Sequence, residues 1–581
     1  MNRVAFVVLA SVGLLLGCRR ENSPDDKPES ISLSPWFEDF SERAGLTFVH
    51  DAGPVGDYFM PQQVGSGAAL FDFDGDGRLD IYLLQNGGPK SASTNRLYRQ
   101  VEGFRFEDVS KGSNLDISGY CMGVAIGDVN NDGKPDVLVT RYDPEGGGAK
   151  LFLNEGGGKF TDITKRVGLY NPSWGTSAAF FDYDRDGWLD LIVVNYVDYD
   201  ATWPCKGPYG TPDYCAPKTF RGRVSRLFHN LGGKSSWKGF ADVTESSGLG
   251  RVPGPGLGVV CADFDGDEWP DVFVANDGKP NHLWINQKNG TFKEEAVVRG
   301  LAYNGMGQAQ AGMGIAWGDV DGDGLLDVFV THLTEEGNTL WRQGPPGLYR
   351  DQSAAGGFLK SSARGTGFGT LLADFDNDGA LDLAVVNGRV SAKAEVDDWS
   401  LGPFWSRYGD HNQIFRGDGC GHFENLSPHN PAFCGKQNVA RCLVRGDIDG
   451  DGAVDLLVTT IGGSARLFKN VAPDRGHWLQ VRAFDPALRR DALGALVRLQ
   501  AGGTRRVGSP HPTDSYLGSS EPIAHFGLGT VERVESIEVV WPNGEREIFD
   551  NQRNGYGVDK RLELRKGEGR SMGKKLAFFK G

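Results

Sequence analysis

The sequence predicts an all-β protein: a seven-bladed β-propeller closed by its N-terminal strand, followed by a small C-terminal β domain. Three observations predict it. The pattern D-x-[DN]-x-D-G-x-x-D, with one departure, recurs from Asp72, Asp128, Asp182, Asp263, Asp319, Asp374 and Asp447, at intervals of 56, 54, 81, 56, 55 and 73 residues. Each copy sits in a unit that reads as four short strands, the content of one propeller blade. The seventh unit lacks its fourth strand, and a strand of that type stands alone before the first unit.

At the N-terminus, Arg3 precedes the apolar run Val4 to Gly17, too short to cross a bilayer and suited to the core of an export signal. The run ends Leu15-Leu16-Gly17-Cys18, which resembles the bacterial lipobox, where the cysteine is acylated and becomes the first residue of the mature chain. An ordinary cleaved signal with an incidental cysteine is the alternative. The lipobox reading gives a signal peptide over 1–18, lipid on Cys18 and a polar, proline-containing tether over 19–35. It anchors the chain in the cell envelope, at the outer membrane or cell surface.

The propeller is expected over 36–470. Each aspartate loop follows a small and apolar run, such as Gly65-Ser66-Gly67-Ala68-Ala69-Leu70-Phe71, and precedes a β-rich run, such as Leu189-Asp190-Leu191-Ile192-Val193-Val194. A Leu-aromatic strand comes next, as at Leu97-Tyr98 or Leu340-Trp341, and then Phe/Tyr-x-Asp/Glu/Asn, as at Phe160-Thr161-Asp162. The seventh unit stops after Leu467-Phe468-Lys469-Asn470, and Phe37-Glu38-Asp39-Phe40-Ser41 supplies what it lacks. Pairing those segments closes the ring and removes the exposed sheet edges.

The loops carry the chemistry. In Asp72-Phe73-Asp74-Gly75-Asp76-Gly77-Arg78-Leu79-Asp80, side chains at positions one, three, five and nine converge, the carbonyl at seven completes an oxygen cage, and glycine at six permits the turn. The corresponding ligands are Asp128, Asn130, Asp132, Lys134 and Asp136, and then Asp182, Asp184, Asp186, Trp188 and Asp190. The fourth and fifth loops offer Asp263, Asp265, Asp267, Trp269 and Asp271, and Asp319, Asp321, Asp323, Leu325 and Asp327. The last two offer Asp374, Asp376, Asp378, Ala380 and Asp382, and Asp447, Asp449, Asp451, Ala453 and Asp455. Hard oxygen donors in a flexible loop favour Ca²⁺, up to seven ions in all. Carboxylates this close repel one another unless a cation neutralises them. The formal net charge of −15 is therefore largely metal ligand, and it argues against nucleic acid as a partner. EF-hands are excluded, because position twelve is Leu83, Val139, Val193, Val274, Val330, Val385 and Val458 where a bidentate glutamate is required. The fourth loop departs from the pattern with Glu268 at position six.

Of the eight cysteines, Cys205 with Cys215 and Cys420 with Cys434 fit short-loop disulfides of an oxidising compartment. Cys121, Cys261 and Cys442 fall inside apolar strands and read as small hydrophobes. The first pair lies in an insertion over 196–226 with Trp203, Tyr209 and Tyr214; a second insertion, 388–420, carries Trp399, Phe404, Trp405, Arg407 and Tyr408. Aromatic loops on a rigid scaffold bind sugars or peptides, or else pack the insertions themselves.

With these motifs in hand, the repeats resemble the FG-GAP/VCBS repeats of integrin-α-type propellers. The segments Gly476-His477-Trp478-Leu479, Asp491-Ala492-Leu493-Gly494-Ala495, Ser515-Tyr516-Leu517, His525-Phe526-Gly527-Leu528-Gly529 and Val539-Val540-Trp541-Pro542-Asn543-Gly544 resemble the ASPIC/UnbV domain, placed here at 476–551. The resemblance implies a relative of the cartilage acidic proteins in bacterial lipoprotein form. Independently, 478–484 and 534–541 alternate like strands. Residues 552–581 read as a basic, frayed tail.

Function is expected to be that of a calcium-binding envelope module that binds a protein or glycan ligand, with assembly partner of another exported protein as the alternative. An enzyme acting on glycans ranks third. His332 with Glu335 and Glu336, or Asp397, Asp398, Asp410 and His411, could supply acids and bases, but no nucleophile elbow, zincin or phosphate loop accompanies them. Two Arg-Gly-Asp triplets begin at Arg416 and Arg445; Asp447 of the second is already a proposed metal ligand.

Overall fold

The computed structural model describes residues 34–207, 210–233, 236–360, 363–550 and 555–572. Cys18, the signal segment and Tyr209 lie outside the described residues.

Alternating apolar strands separated by glycine- and aspartate-rich turns form four-stranded antiparallel meanders. Ala68–Phe71, Asp80–Leu83, Arg96–Glu102 and Arg105–Asp108 make the first of seven such sheets. The first strands of successive sheets touch in order, and that of the last sheet, Ala440–Gly446, touches Ala68–Phe71, so the series returns on itself as a propeller. The last sheet is completed from the other end of the chain: Phe37 pairs with Asn470, Glu38 with Lys469 and Asp39 with Phe468. Phe37 is fully buried against Phe375 and Phe433, at ring separations of 5.3 and 5.7 Å.

A hydrogen bond crosses every junction between neighbouring sheets. The carbonyl at position two of each aspartate loop accepts from the following sheet: Phe73 from Asn154, Val129 from Asn230, Tyr183 from Asn286 and Phe375 from Asn470, at 2.8–2.9 Å. Ile448 accepts from Gln100, which joins the seventh sheet to the first. Tyr349 supplies the hydroxyl for Phe264, and the Gly421 amide serves Val320, because the third strand of that sheet has Gly417 where the others carry an amide side chain. Each position-two carbonyl is thus satisfied by the following sheet, and the ring is held by polar as well as apolar contacts.

The C-terminal domain consists of two sheets. His477–Asp485 pairs with Ala524–Gly529 and, in parallel, with Lys560–Arg565. Leu496–Ala501 pairs with Thr504–Gly508 and Arg533–Val540. Leu479, Val481, Val497, Leu499, Phe526, Ile537 and Trp541 form the core between them. The expected basic tail is corrected here: Lys560–Arg565 is a strand of the domain, with Leu564 buried, and Arg570–Ser571 pairs with the strand at Glu547 and Ile548. Its lysines and arginines hid the alternation because only one face of the strand is covered.

From this domain, residues 511–521 enter the axis of the propeller and touch the first strand of every sheet. Ser519 exchanges backbone hydrogen bonds with Ala68 and Leu70, and Ser515 with Ile315. The Val124 amide donates to Leu517, the Leu517 amide to Ser177 and the Thr370 amide to the Ser515 hydroxyl. His511 reaches the Cys261 carbonyl, and the Glu521 amide donates to Arg445. Ser515 and Leu517 hold φ of 68° and 58°, which the strand contacts on both sides enforce. Tyr516 at the tip is buried and donates to the Val64 carbonyl.

The far mouth of the axis is covered by the two insertions. Cys205 and Cys215 form the expected disulfide, and between them Asp213 accepts from the Tyr408 hydroxyl at 2.7 Å and the Ala392 amide at 3.0 Å. Tyr214 packs edge-on to Tyr408 at 5.5 Å. The second expected disulfide is absent. Cys420 precedes the strand Phe423–Asn425 and is exposed, whereas Cys434 follows that strand and is buried at the end of a helical turn, so the strand separates them. Proximity in sequence gave no sign of that separation.

Candidate metal centres on one face of the ring

All seven aspartate loops connect the first and second strands of their sheets and share one set of hydrogen bonds. The carboxylate at position nine accepts the amide of position two through Oδ2 at 2.8–3.1 Å, as Asp80 does from Phe73. Its Oδ1 accepts an amide of the third strand at 2.8–3.0 Å, as Asp80 does from Gln100. The carboxylate at position five accepts the amide of position seven in every loop, which holds the position-seven residues Arg78, Lys134, Trp188, Trp269, Leu325, Ala380 and Ala453 in place. Position one gathers amides from further round the turn, as Asp72 does from Gly75, Asp76 and Gly77. Position nine is thus a structural clamp as well as a candidate ligand, a role the spacing alone did not reveal.

Positions four and six adopt left-handed φ in every loop, from Gly75 at 79° and Gly77 at 85° to Gly450 at 74° and Gly452 at 82°. Glu268 holds φ of 70° at position six, and its amide donates to Asp263 as the glycine does elsewhere. The fourth loop therefore keeps the geometry of the others.

Burial and mutual repulsion raise the carboxylates. Asp80 is pushed up to about 8, Asp182 and Asp263 to about 7, and Asp128, Asp319 and Asp447 to about 6, with desolvation the largest cause in each. In loops one, three, four and five, oxygens of three carboxylates lie within 4.8 Å of one another. Asp184 Oδ1 and Asp447 Oδ1 are buried with no hydrogen-bond partner among the described residues. Clustered carboxylates with orphaned oxygens fit a bound cation.

A second pattern was not read from the sequence. A basic side chain stands against position three wherever that position is aspartate: Arg99 by Asp74, His229 by Asp184, Arg299 by Asp265, Arg342 by Asp321, Arg416 by Asp376 and Lys469 by Asp449. The second loop has Asn130 at position three, and its third strand carries the apolar Leu153 where the first sheet has Arg99. The base accompanies the charge.

The expected acids and bases do not assemble. Glu335 pairs with Arg389, Glu336 accepts the Ala311 amide, Asp410 the Thr366 amide, and His411 lies against the Cys434 carbonyl. His332 is buried beside Trp341, and Asp397 accepts from Gln437. Asp398 caps its own turn at Ser400. Neither Arg-Gly-Asp triplet offers its arginine to a partner: Arg416 pairs with Asp376 and Asp378, and Arg445 with Asp514. Of the insertion aromatics, Tyr214 and Tyr408 are buried, whereas Trp203 and Trp399 remain 58% and 56% exposed.

The FG-GAP-like repeat family matches residues 72–139, 128–193, 263–330 and 319–385, and the ASPIC and UnbV family matches 486–571. Cartilage acidic protein 1 of Mus musculus is 26% identical over 523 residues, covering 84% of this chain and 71% of that protein. The Homo sapiens protein of the same name is 25% identical over 521 residues, covering 84% and 70%. Among solved structures, an Agrocybe aegerita protein that recognises non-reducing terminal N-acetylglucosamine aligns with a TM-score of 0.39 and 13% identity, over 69% of this chain and 87% of that one, a likeness too distant to bear on function. The chain is a protein of FG-GAP repeats joined to a C-terminal ASPIC/UnbV domain.

Proposed function

We propose that the protein is an extracytoplasmic, calcium-binding module that presents a ligand-binding or scaffold surface and is held to the cell envelope by lipid on Cys18. The observation that carries the calcium reading is the shared loop geometry, in which seven buried or half-buried carboxylate sets fit oxygen-liganded cations. Asp, Asn and the position-seven carbonyls would hold Ca²⁺, which would neutralise the loops and fix their turns. The bases at position three would then stand beside the ion, screening the aspartates when it leaves. The Cys205–Cys215 disulfide supports an oxidising compartment. Among the described residues no helix is long and apolar enough to cross a membrane.

A ligand surface is favoured over an enzyme because Glu335, Glu336, Asp410 and His411 are engaged in separate structural contacts. The test is a glycan and peptide array probed with the protein in calcium and in EGTA. Calcium-dependent binding supports the ligand reading; no binding in either condition overturns it in favour of a scaffold. Mass spectrometry of the membrane fraction tests the anchor: an acylated N-terminal Cys18 is expected, and a mature N-terminus well beyond residue 18 contradicts it.

A further inference from the structure

The third aspartate loop differs from the others in the side chain that faces its position three. In the first, fifth, sixth and seventh sheets the residue after the aromatic of the third strand is Arg99, Arg342, Arg416 or Lys469, and each meets its own loop. In the third sheet the same place, after Phe228 of Arg226–Asn230, carries His229. The fourth loop receives Arg299 from a helical turn, and the strand beside the second carries Leu153. Arginine and lysine stand there as cations with no lone pair to give, whereas a neutral imidazole offers one from a ring nitrogen.

That nitrogen is aimed at the loop. His229 Nδ1 lies 3.1 Å from Asp190 Oδ1 and 3.5 Å from Asp184 Oδ2. One donor atom from each of Asp184, Asp190 and His229 falls within 4.8 Å of the other two. Neighbouring donors of a tetrahedral zinc ion stand about 3.3 Å apart, so both separations suit bonds of ordinary zinc length. A hydrogen bond to Asp190 accounts for the first contact but leaves Asp184 Oδ1 buried with no partner among the described residues. The set is also held from outside. Asp190 accepts the Tyr183 and Asn230 amides at 3.1 and 2.8 Å, and the imidazole packs edge-on to the Tyr183 ring at 5.9 Å. Such outer contacts orient the ligands of a metal site.

We propose that the third loop is a zinc site held by His229 Nδ1, Asp184 and Asp190, in a ring whose other loops offer oxygen donors alone. Calcium takes oxygen ligands, whereas zinc binds imidazole nitrogen and carboxylate together. The ring binds through Nδ1 as the neutral tautomer, with its proton on Nε2. The proposal deepens the cation reading of the loops at one site and does not depend on calcium filling the rest.

The full chain, freed of metal, is titrated with zinc by calorimetry, once without calcium and once with calcium saturating. One zinc per chain is expected in both titrations, bound about tenfold or more tighter than any further zinc. His229→Arg keeps a positive charge beside Asp184, as the first, fifth and sixth sheets do, and is expected to leave the metal-free melting temperature unchanged. His229→Gln removes the imidazole without adding a fixed charge, which separates loss of a ligand from repulsion of the ion. Both variants are expected to weaken the zinc site about a hundredfold or more, since loss of even an outer-shell partner costs 10–100-fold. Zinc that saturating calcium displaces, or that either variant retains at wild-type affinity, overturns the proposal. If calcium binds in its own titration and zinc does not, the proposal falls and the calcium reading stands. If zinc binds through His229 and calcium binds nowhere, the reverse holds.

Discussion

The carboxylate of Glu268 pairs directly with the guanidinium of Arg546 and lies 3.5 Å from Arg498, joining the fourth aspartate loop to the C-terminal domain. The pair is mostly buried, and Glu538 meets both arginines from the other side. A left-handed conformation costs a residue with a side chain roughly 1–2 kcal/mol relative to its ordinary one, and the interdomain pair offsets that cost. Glu268→Gly is expected to leave the loop geometry and its cation site intact but to leave Arg498 and Arg546 with Glu538 as their remaining carboxylate. Removing one partner of a mostly buried pair costs about 3–5 kcal/mol when the other is left unpaired, and less where Glu538 remains. Calorimetry should resolve earlier melting of the C-terminal domain, and unchanged melting would mean the arginines find water instead.

The bases at position three predict effects of opposite sign in the two states. In the metal-free protein, Arg99 screens Asp74 and Asp76; with a cation present, it repels that cation. Arg99→Gln is therefore expected to lower the melting temperature in EGTA and to tighten calcium at the first loop. Titration of wild type and variant checks it, and a weaker site in the variant would contradict the account.

Asp277 predicts a pH dependence away from the loops. Burial pushes its carboxyl up to about 7, with Glu336 adding to the rise and the Tyr196 hydroxyl, donating at 2.6 Å, opposing it. A group raised on folding contributes stability that is full below its unfolded value near 4 and is lost as pH rises through about 7. Asp277→Asn is expected to match the wild type near pH 4 and to exceed it at pH 8 by roughly 1–2 kcal/mol, allowing for partial exposure. Denaturant titrations at both pH values check this; an equal difference at the two values would contradict it.

The N-terminal strand predicts dependence on the ring closure. Deleting residues 36–45 removes Phe37 from its pocket beside Phe375 and Phe433 and exposes the edge of Arg466–Asn470. Loss of one buried phenylalanine costs about 1.5–3 kcal/mol, and an open edge recruits other chains. Early melting and aggregation are expected in light scattering, whereas a stable monomer would make the strand dispensable.

The sequence made the repeat, the closure and the loop spacing legible because each rests on local periodicity or on a fixed offset between aspartates. Glu268 was visible only as a breach of the pattern, since its reason lies in Arg498 and Arg546, more than two hundred residues away. The axial segment around Tyr516 was visible as a motif but not as an occupant of the ring, because it makes its contacts one sheet at a time. The Lys560–Arg565 strand was hidden by charge on its open face. Cys420 and Cys434 misled because closeness in sequence is not closeness across a strand.

The central claim is that the aspartate loops bind calcium and that calcium holds the propeller together. The most direct measurement is calorimetry of the chelated full chain, titrated with calcium and then melted with and without it. Up to seven calcium ions per chain are expected, with a stabilisation of about 2.7 kcal/mol for each site at a hundredfold excess over Kd. A substantial rise in melting temperature should accompany the binding, with magnesium a poor substitute. A chain proven metal-free that takes up no calcium and melts at the same temperature with and without it would contradict the account.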